Sequence, residues 1–563
     1  MGMYLRTTQR RRKDGSLVRY VQLAHNRRVG GVTQAEVLVN LGREDQLDLD
    51  GLRRLAESIT RFTDSNGQGQ PLPGALGELE IVESRPMGGA WLLDGLWKQL
   101  GIAQALAKAV GRRRFTTDVE RVVFALVCNR ALDPCSKLAA AEWATKDVWI
   151  PGLQGMDDDH AYRAMDLLVE ADVAAQVQES VFFACADLLN LEVDLMFFDT
   201  TSTYFETDEP DTANDGGKGF RTYGHSKDHR PDLPQVVIGL AVTREGIPVR
   251  VWVWPGNTSD QSVLKEVKDD MRDWRLGRVI TVVDRGFSSE DNLRYLTRAG
   301  GHWIAGQRMR DGSKDAKAAL SCPGRFKTVR DNLQVKEVSV GKGDASRRFI
   351  VCHNPIEAER DKVRRDETVA RLKTELLAID DQRDRAKTPK DEKAHLRAEC
   401  ALRDHPALGS YLRQTKAGRL RIDHSKVKAE ERLDGKYLIS TSDPDLCAED
   451  VALGYRNLLE AERGFRDLKS TLDLRPVFHH LERRIRAHVL ICWLALLLVR
   501  TAERRTGQTW RRIVLELERL HLVTLQGPAG TVAQTTSLTD SQREILAATE
   551  VAPPPPITAL DPS

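Results

Sequence analysis

Near residue 192 the hydrophobic pattern of this chain changes period. Upstream, ERVVFALVCNRAL, SKLAAAEWAT and DVAAQVQESVFFACADLL place apolar residues at three- and four-residue intervals, as helices do. Downstream, VDLMFFD (193–199), QVVIGLAV (235–242), IPVRVWVW (247–254) and RVITVVD (278–284) are short β-branched or aromatic runs bounded by Gly, Pro and Asp. A helical pattern, SDQSVLKEVKDDMRDWR, precedes the fourth run, and a second, SSEDNLRYLTRAG, leads to the strand HWIAGQ. Strands interleaved with helices in this way predict a mixed α/β sheet, preceded by an all-helical region.

The chain is long enough, at 563 residues, for several such units. Residues 1–75 form a basic arm with short alternating runs, YVQLAHNRR and AEVLVNLG, which predict a small β element, then a helix over 47–62 and the linker SNGQGQPLPG. Residues 76–191 are the helical domain, and residues 192–310 the first part of the sheet. Residues 311–447 read as an insertion with strands and charged helices. Within it, residues 357–404 hold 13 basic and 13 acidic side chains and predict solvated helices broken near Pro389. The strand GKYLIST (435–441) precedes a helical region, 448–525, that completes the core, and the tail 526–563, ending in VAPPPPITALDPS, is expected to be disordered.

Charge and cysteine content narrow the chemistry. Net charge is only +2, yet 29% of residues are charged, which permits strongly basic faces balanced by acidic ones. In residues 1–30, Arg6, Arg10, Arg11, Arg12, Lys13, Arg19, Arg27 and Arg28 stand against the single acid Asp14, an arm attracted to polyphosphate. The eight cysteines form no C-x-x-C pair, so neither a disulfide framework nor a zinc ribbon is supported. MGMYLRTTQRRRK has no apolar stretch behind it and does not read as a secretory signal. The longest apolar run, Val489 to Val499, is too short to span a bilayer. A reducing cytoplasmic location with no membrane partner is expected.

Asp199 and Asp284 each end an apolar strand, where α/β sheets hold their ligands. Alone, either could cap a turn or pair with a neighbouring arginine. Together they would repel unless a cation lay between them. GYRNLLEAERGFRDLKSTL supplies a third acid. Tyr455, Glu462 and Lys469 recur every seven residues and would form one line about 10 Å apart along a single helix, beside the apolar stripe Leu458, Phe465 and Leu472. The plainer alternative is a solvated helix in which Glu462 pairs with Arg466.

These stretches resemble a family. FFDTTSTYFE, GHSKDHRPDLPQVVIGLAV, PGNTSDQSVL, VVDRGF, YLISTSD and YRNLLEAERGFRDLKSTLDLRPVFHH are similar, in order and spacing, to the DDE transposases of bacterial insertion sequences, in the branch with a Tyr-Arg-Glu-Lys signature on the glutamate helix. The resemblance implies an RNase H-like core in which Asp199, Asp284 and Glu462 hold two divalent ions, Mg²⁺ or Mn²⁺. Tyr455 and Lys469 match the signature. Its arginine does not, because Leu458 stands there, leaving Arg456 or Arg463 as substitutes. The 177 residues between Asp284 and Glu462 fit a branch with an insertion before that helix.

The function implied is binding of insertion-sequence ends, metal-assisted phosphodiester cleavage and joining of 3′ ends to target DNA, by a homodimer on double-stranded DNA. DNA contacts are expected from Tyr455, Lys469, Arg456, Arg463, Lys227, Arg230, Arg483 and Arg484. The last two lie in LRPVFHHLERRIRAH, whose bases suit a DNA backbone better than a metal. Two rival readings are a nuclease of the same fold that cuts without joining and a catalytically silent DNA-binding relative.

Overall fold

The computed structural model describes residues 3–11, 17–29, 32–44, 47–63, 79–111, 118–170, 173–189, 194–207, 209–212, 219–272, 274, 279–310, 313–343, 346–527 and 530–562. Strands β1 (Met3–Arg11), β2 (Leu17–Val29) and β3 (Val32–Arg43) make an antiparallel sheet, followed by α1 (Leu49–Thr63). The Asp48 carboxylate accepts from the N–H groups of Asp50 and Gly51, satisfying donors at the start of α1. The linker SNGQGQPLPG, with Arg12 and Lys13, lies outside the described residues.

Strand β4 (Glu80–Pro86) leads into α2 (Gly88–Gln99), α3 (Ile102–Val110), α4 (Val119–Leu132), α5 (Lys137–Lys146), α6 (Asp158–Leu168) and α7 (Val173–Leu188). Asp118 and Ser136 cap α4 and α5 by accepting from Arg121 N–H and Ala139 N–H. Every residue of α4 from Arg121 to Ala131 is buried, so the helix is enclosed on all sides rather than amphipathic.

The strand-rich part supplies β5 (Leu195–Tyr204), β6 (Gln235–Thr243), β7 (Pro248–Pro255), α8 (Asp260–Arg272), β8 (Ile280–Val283), α9 (Glu290–Thr297) and β9 (His302–Gln307). It continues with α10 (Lys314–Ser321), β10 (Lys327–Arg330), β11 (Leu333–Val340) and β12 (Arg347–His353). Next come α11 (Pro355–Arg385), α12 (Pro389–Arg403), β13 (Leu412–Gln414), β14 (Leu420–Ile422), α13 (His424–Glu431) and β15 (Lys436–Thr441). One nine-stranded mixed sheet runs β10-β11-β12-β15-β9-β8-β5-β6-β7, with β5–β8 and β8–β9 parallel and the other pairs antiparallel.

This order places the strands of the 311–447 stretch, expected as an insertion with strands and charged helices, in the sheet itself. Strands β10, β11, β12 and β15 extend the same sheet. Only residues 355–434 leave it, as a helical pair and a small hairpin around their own core of Leu372, Leu376, Ile379, Leu402, Leu408, Leu412 and Leu420.

The chain returns as α14 (Ala448–Arg456), α15 (Leu459–Ser470), α16 (Glu482–Thr506) and α17 (Trp510–Leu517). Helix α16 is long and apolar enough to cross a membrane, but nearly all of its apolar window is buried inside the protein. It is the central core helix, packed on α4, α6 and β7. Leu93 and Phe124, Phe197 and Ile238, and Trp493 and Leu496 accordingly belong to one hydrophobic cluster. The boundary expected near residue 191 therefore does not separate two cores.

A second correction concerns residues 526–563. Strand β16 (His521–Gly527) pairs with β4 and with β17 (Gly530–Thr535), and after α18 (Asp540–Ala548) strand β18 (Ile557–Pro562) completes a four-stranded sheet. The proline run is held because prolines lose a donor and keep an acceptor. The N–H and hydroxyl of Thr535 donate to the carbonyls of Pro556 and Pro555, each at 2.9 Å, and Trp91 Nε1–H donates to Ala552 O at 2.8 Å.

Candidate active site

The parallel pairing of β5 with β8 ends at Phe198 opposite Val283; Asp284 follows the end of β8, whereas Asp199, expected at a strand end, lies within β5, which runs on to Tyr204 beside β6, so the two carboxylates stand on neighbouring strands just past their last parallel pair. Burial, opposed by Lys227 and by the Thr200 N–H that donates to Asp199 Oδ1 at 2.7 Å, pushes the Asp199 carboxyl up to about 6, and the charges of Asp284 and Asp260 add to the rise. Two crowded oxygen donors of this kind fit a hard divalent cation. Among the described residues, however, no three His, Cys, Asp or Glu side chains lie close enough to hold an ion together.

Tyr455 Oη donates to Asp284 Oδ1 at 2.8 Å. Burial first, then the Asp284 charge, raise the tyrosine's pKa and keep it a donor. The approach depends on Gly306 in β9, since a Cβ there would lie 2.2 Å from Tyr455 Oη. Tyr437 stacks on Tyr455 with ring centroids 6.1 Å apart.

The single helix expected from 454 to 472 is corrected here. Helix α14 ends at Arg456, and α15 begins after the turn at Asn457 and Leu458, so Tyr455 and Glu462 sit on different helices. Leu458, Phe465 and Leu472 are buried, and the break lets the apolar faces of both helices follow the twisted sheet. Gly464 allows α15 to lie close on β6, because a Cβ would come within 2.9 Å of the Leu240 side chain. Glu462, in the first turn of α15, is exposed, and its carboxylate makes no hydrogen bond or ion pair with other described residues. It shares with Asp284 a cavity of about 260 Å³ that Asn332, Asn354, Tyr437 and Arg456 also line. Asp199 is not among the residues lining this cavity.

The basic candidates separate into groups. Lys227 donates to Thr200 O and Oγ1 at 2.8 and 2.6 Å and pairs with Asp260 at 3.1 Å, beside Asp199. Lys469 donates to Thr201 Oγ1 at 2.7 Å and Asp228 Oδ1 at 2.8 Å. Arg456 faces the cavity and donates to Asn332 Oδ1 at 3.2 Å, whereas Arg463 points to Glu503 on α16. Arg230 pairs with Asp232.

Arg483 and Arg484 both pair with Asp166 on α6. Arg486 donates to Val253 O, and His479 and His488 are buried, so much of LRPVFHHLERRIRAH joins helices to the sheet instead of forming an open basic face. Asp228 and Asp260 escaped sequence reasoning, though each lies in a quoted motif and Asp228 adjoins Lys227.

Two family models match the chain: one described as IS1634 family transposase, N-terminal domain, over residues 5–71, and one described as Transposase DDE domain, over residues 195–498. No curated protein matches. Among solved structures, a piggyBac transposase synaptic complex with hairpin DNA is similar at a TM-score of 0.34 and 10% identity, over 76% of this chain and 78% of that one.

Proposed function

This chain belongs to the transposases with a DDE domain, and on that premise we propose that it cleaves DNA at the ends of an insertion sequence and joins the 3′ ends to target DNA. Asp199, Asp284 and Glu462 are the acidic triad of an RNase H-like core. The observation that carries this reading is the placement of Asp199 and Asp284 just past the last parallel pair of two neighbouring strands, with Glu462 on the cavity that holds Asp284.

Asp199 and Asp284 would hold two Mg²⁺ ions, or Mn²⁺, with Glu462 joining them from α15. These ions supply Lewis acidity and a water nucleophile at neutral pH. Tyr455 orients the Asp284 carboxylate through its hydrogen bond. Lys227 tempers the negative charge around Asp199, and Lys469 and Arg456 offer cationic donors to the DNA backbone. The partner is double-stranded DNA carrying terminal repeats, bound by a homodimer in the cytoplasm.

The test is incubation of the protein with duplexes bearing those ends, with and without Mg²⁺. Asp199→Asn, Asp284→Asn and Glu462→Gln should each lower cleavage by about three orders of magnitude or more while end binding persists. Near wild-type cleavage by any one removes that residue from the triad, and cleavage without strand transfer would identify a nuclease.

A further inference from the structure

The loop 224–231 carries Lys227 and Asp228 side by side, and their side chains reach opposite halves of the core. Lys227 ties to the first half, through Thr200 and Asp260, and its N–H donates to Ser202 Oγ at 2.8 Å. Asp228 ties to the second. Its Oδ1 accepts from Lys469 Nζ at 2.8 Å, across 241 residues of sequence, and its Oδ2 pairs with Arg475 at 3.2 Å. From this geometry we infer that Asp228 is a positioning residue, setting Lys469 and Arg475, and with them the glutamate-bearing α15, against β5.

Three observations support the assignment. The Asp228 side chain is 11% exposed and that of Lys469 17%, so solvent screens the pair weakly and one arrangement is favoured over many. The second acceptor of Lys469 is Thr201 Oγ1, two residues beyond Asp199, which registers the ammonium to the strand carrying the first aspartate. The loop itself is pinned: Ser226 Oγ accepts from the N–H groups of Asp228 and Arg230 at 3.3 and 3.0 Å, and His229 adopts a left-handed φ of 58°.

Charge counting distinguishes a positioning role from a blocking one. Lys469 and Arg475 carry two positive charges against one on Asp228, so one remains for a DNA phosphate without displacing the carboxylate. An ammonium has three donors, and Lys469 spends two, on Thr201 and Asp228. The guanidinium of Arg475 also lies over the Tyr204 ring, 4.8 Å from its centroid, which fixes its plane.

The inference rests on the proposed cleavage activity for one arm of its test and not for the other. In the first arm, Asp228→Asn is assayed at saturating end DNA. Its cleavage rate should fall about 10- to 100-fold, the size of effect a misplaced group produces, with end affinity changed less than about threefold. The double variant Asp228→Asn/Lys469→Ala should lose less than the product of the two single losses, because Asp228 acts partly through the lysine.

In the second arm, amide hydrogen exchange without DNA should rise in 459–470 and stay unchanged in α16. Thr201→Val, which removes the other acceptor, should reproduce both effects and serves if Asp228→Asn does not fold. Additive rate losses, unchanged exchange in 459–470, or tighter DNA binding with faster cleavage by Asp228→Asn would each overturn the assignment. If the wild-type protein does not cleave ends, the cleavage reading falls and the exchange arm alone decides this one.

Discussion

At the scale of single residues, the missing Cβ of Gly306 is as much a part of the site as the hydroxyl it admits. Tyr455→Phe deletes one hydrogen bond to Asp284 and should cost about 1 kcal/mol of stability. Gly306→Ala forces the ring away and should cost more, about 1–3 kcal/mol, by overpacking. In a Tyr455→Ala background the same glycine substitution should cost much less, because only the Arg285 backbone nitrogen, 3.2 Å from the added Cβ, still crowds it; denaturant midpoints of the wild type, the two single variants and the double variant check this.

Lys137 makes a different residue-scale case. Its buried ammonium finds no hydrogen-bond acceptor among the described residues, and burial, then Arg130, lower its pKa from 10.5 to about 7. Between those values the unfolded chain binds more protons than the folded one, so this lysine makes stability rise with pH from about 7 to 10.5. Lys137→Met should raise the thermal midpoint at pH 7 and flatten that slope in melting curves taken across the window. His479, pushed down to about 4 by burial and by Lys137, has the same sign at lower pH: stability falls as pH drops from 6.5 towards 4.

Among the elements, the helices and strands nearest the ends of the chain depend on one another more than their positions suggest. Strand β4 is completed by β16, and α4 is enclosed by α16. A fragment ending at residue 191 keeps the basic arm but loses the partners of both. It should show no cooperative melting by circular dichroism, and salt-dependent DNA binding by it would report the arm's charge without the helical layer. Removal of residues 526–563 strips β17, α18 and β18 and uncovers Leu522 and Trp91. It also deletes the buried Ile545, Leu546 and Val551, three side chains worth roughly 1.5–3 kcal/mol each. That sum rivals the whole stability of an ordinary domain, so the truncated protein should lose its cooperative transition or precipitate on expression.

For the molecule as a whole, one sheet gathers segments from both sides of the 355–434 excursion. That excursion leaves and rejoins at a single place: Asn354 N–H donates to Gly435 O at 2.7 Å. Its core residues form a cluster separate from the main one. Replacing 355–434 by a short glycine-rich link should therefore preserve cooperative unfolding of the remainder. The cavity shared by Asp284 and Glu462 keeps its lining residue Asn354, and end cleavage by the shortened protein measures whether the excursion contributes to the reaction.

Local chemistry was enough to read the strand that carries Asp199 and the one that leads to Asp284, though not how far the first runs on, and also the buried stripe of Leu458, Phe465 and Leu472 and the helices flanking Pro389. Each follows from periodicity, β-branching or a helix stop over fewer than about twenty residues. Pairings between distant segments followed a different logic. Whether VAPPPPITALDPS is ordered depends on Thr535 and Trp91 meeting its carbonyls, and composition carries no information about a donor tens or hundreds of residues away. The break after Arg456 divides α14, which packs on β8, β9, β11, β12 and β15, from α15, which packs on β5 and β6, a surface that exists only once the sheet has assembled. Asp228 shows the same division: its charge is evident in GHSKDHRP, but its role is set by Lys469 and Arg475, which folding brings to it.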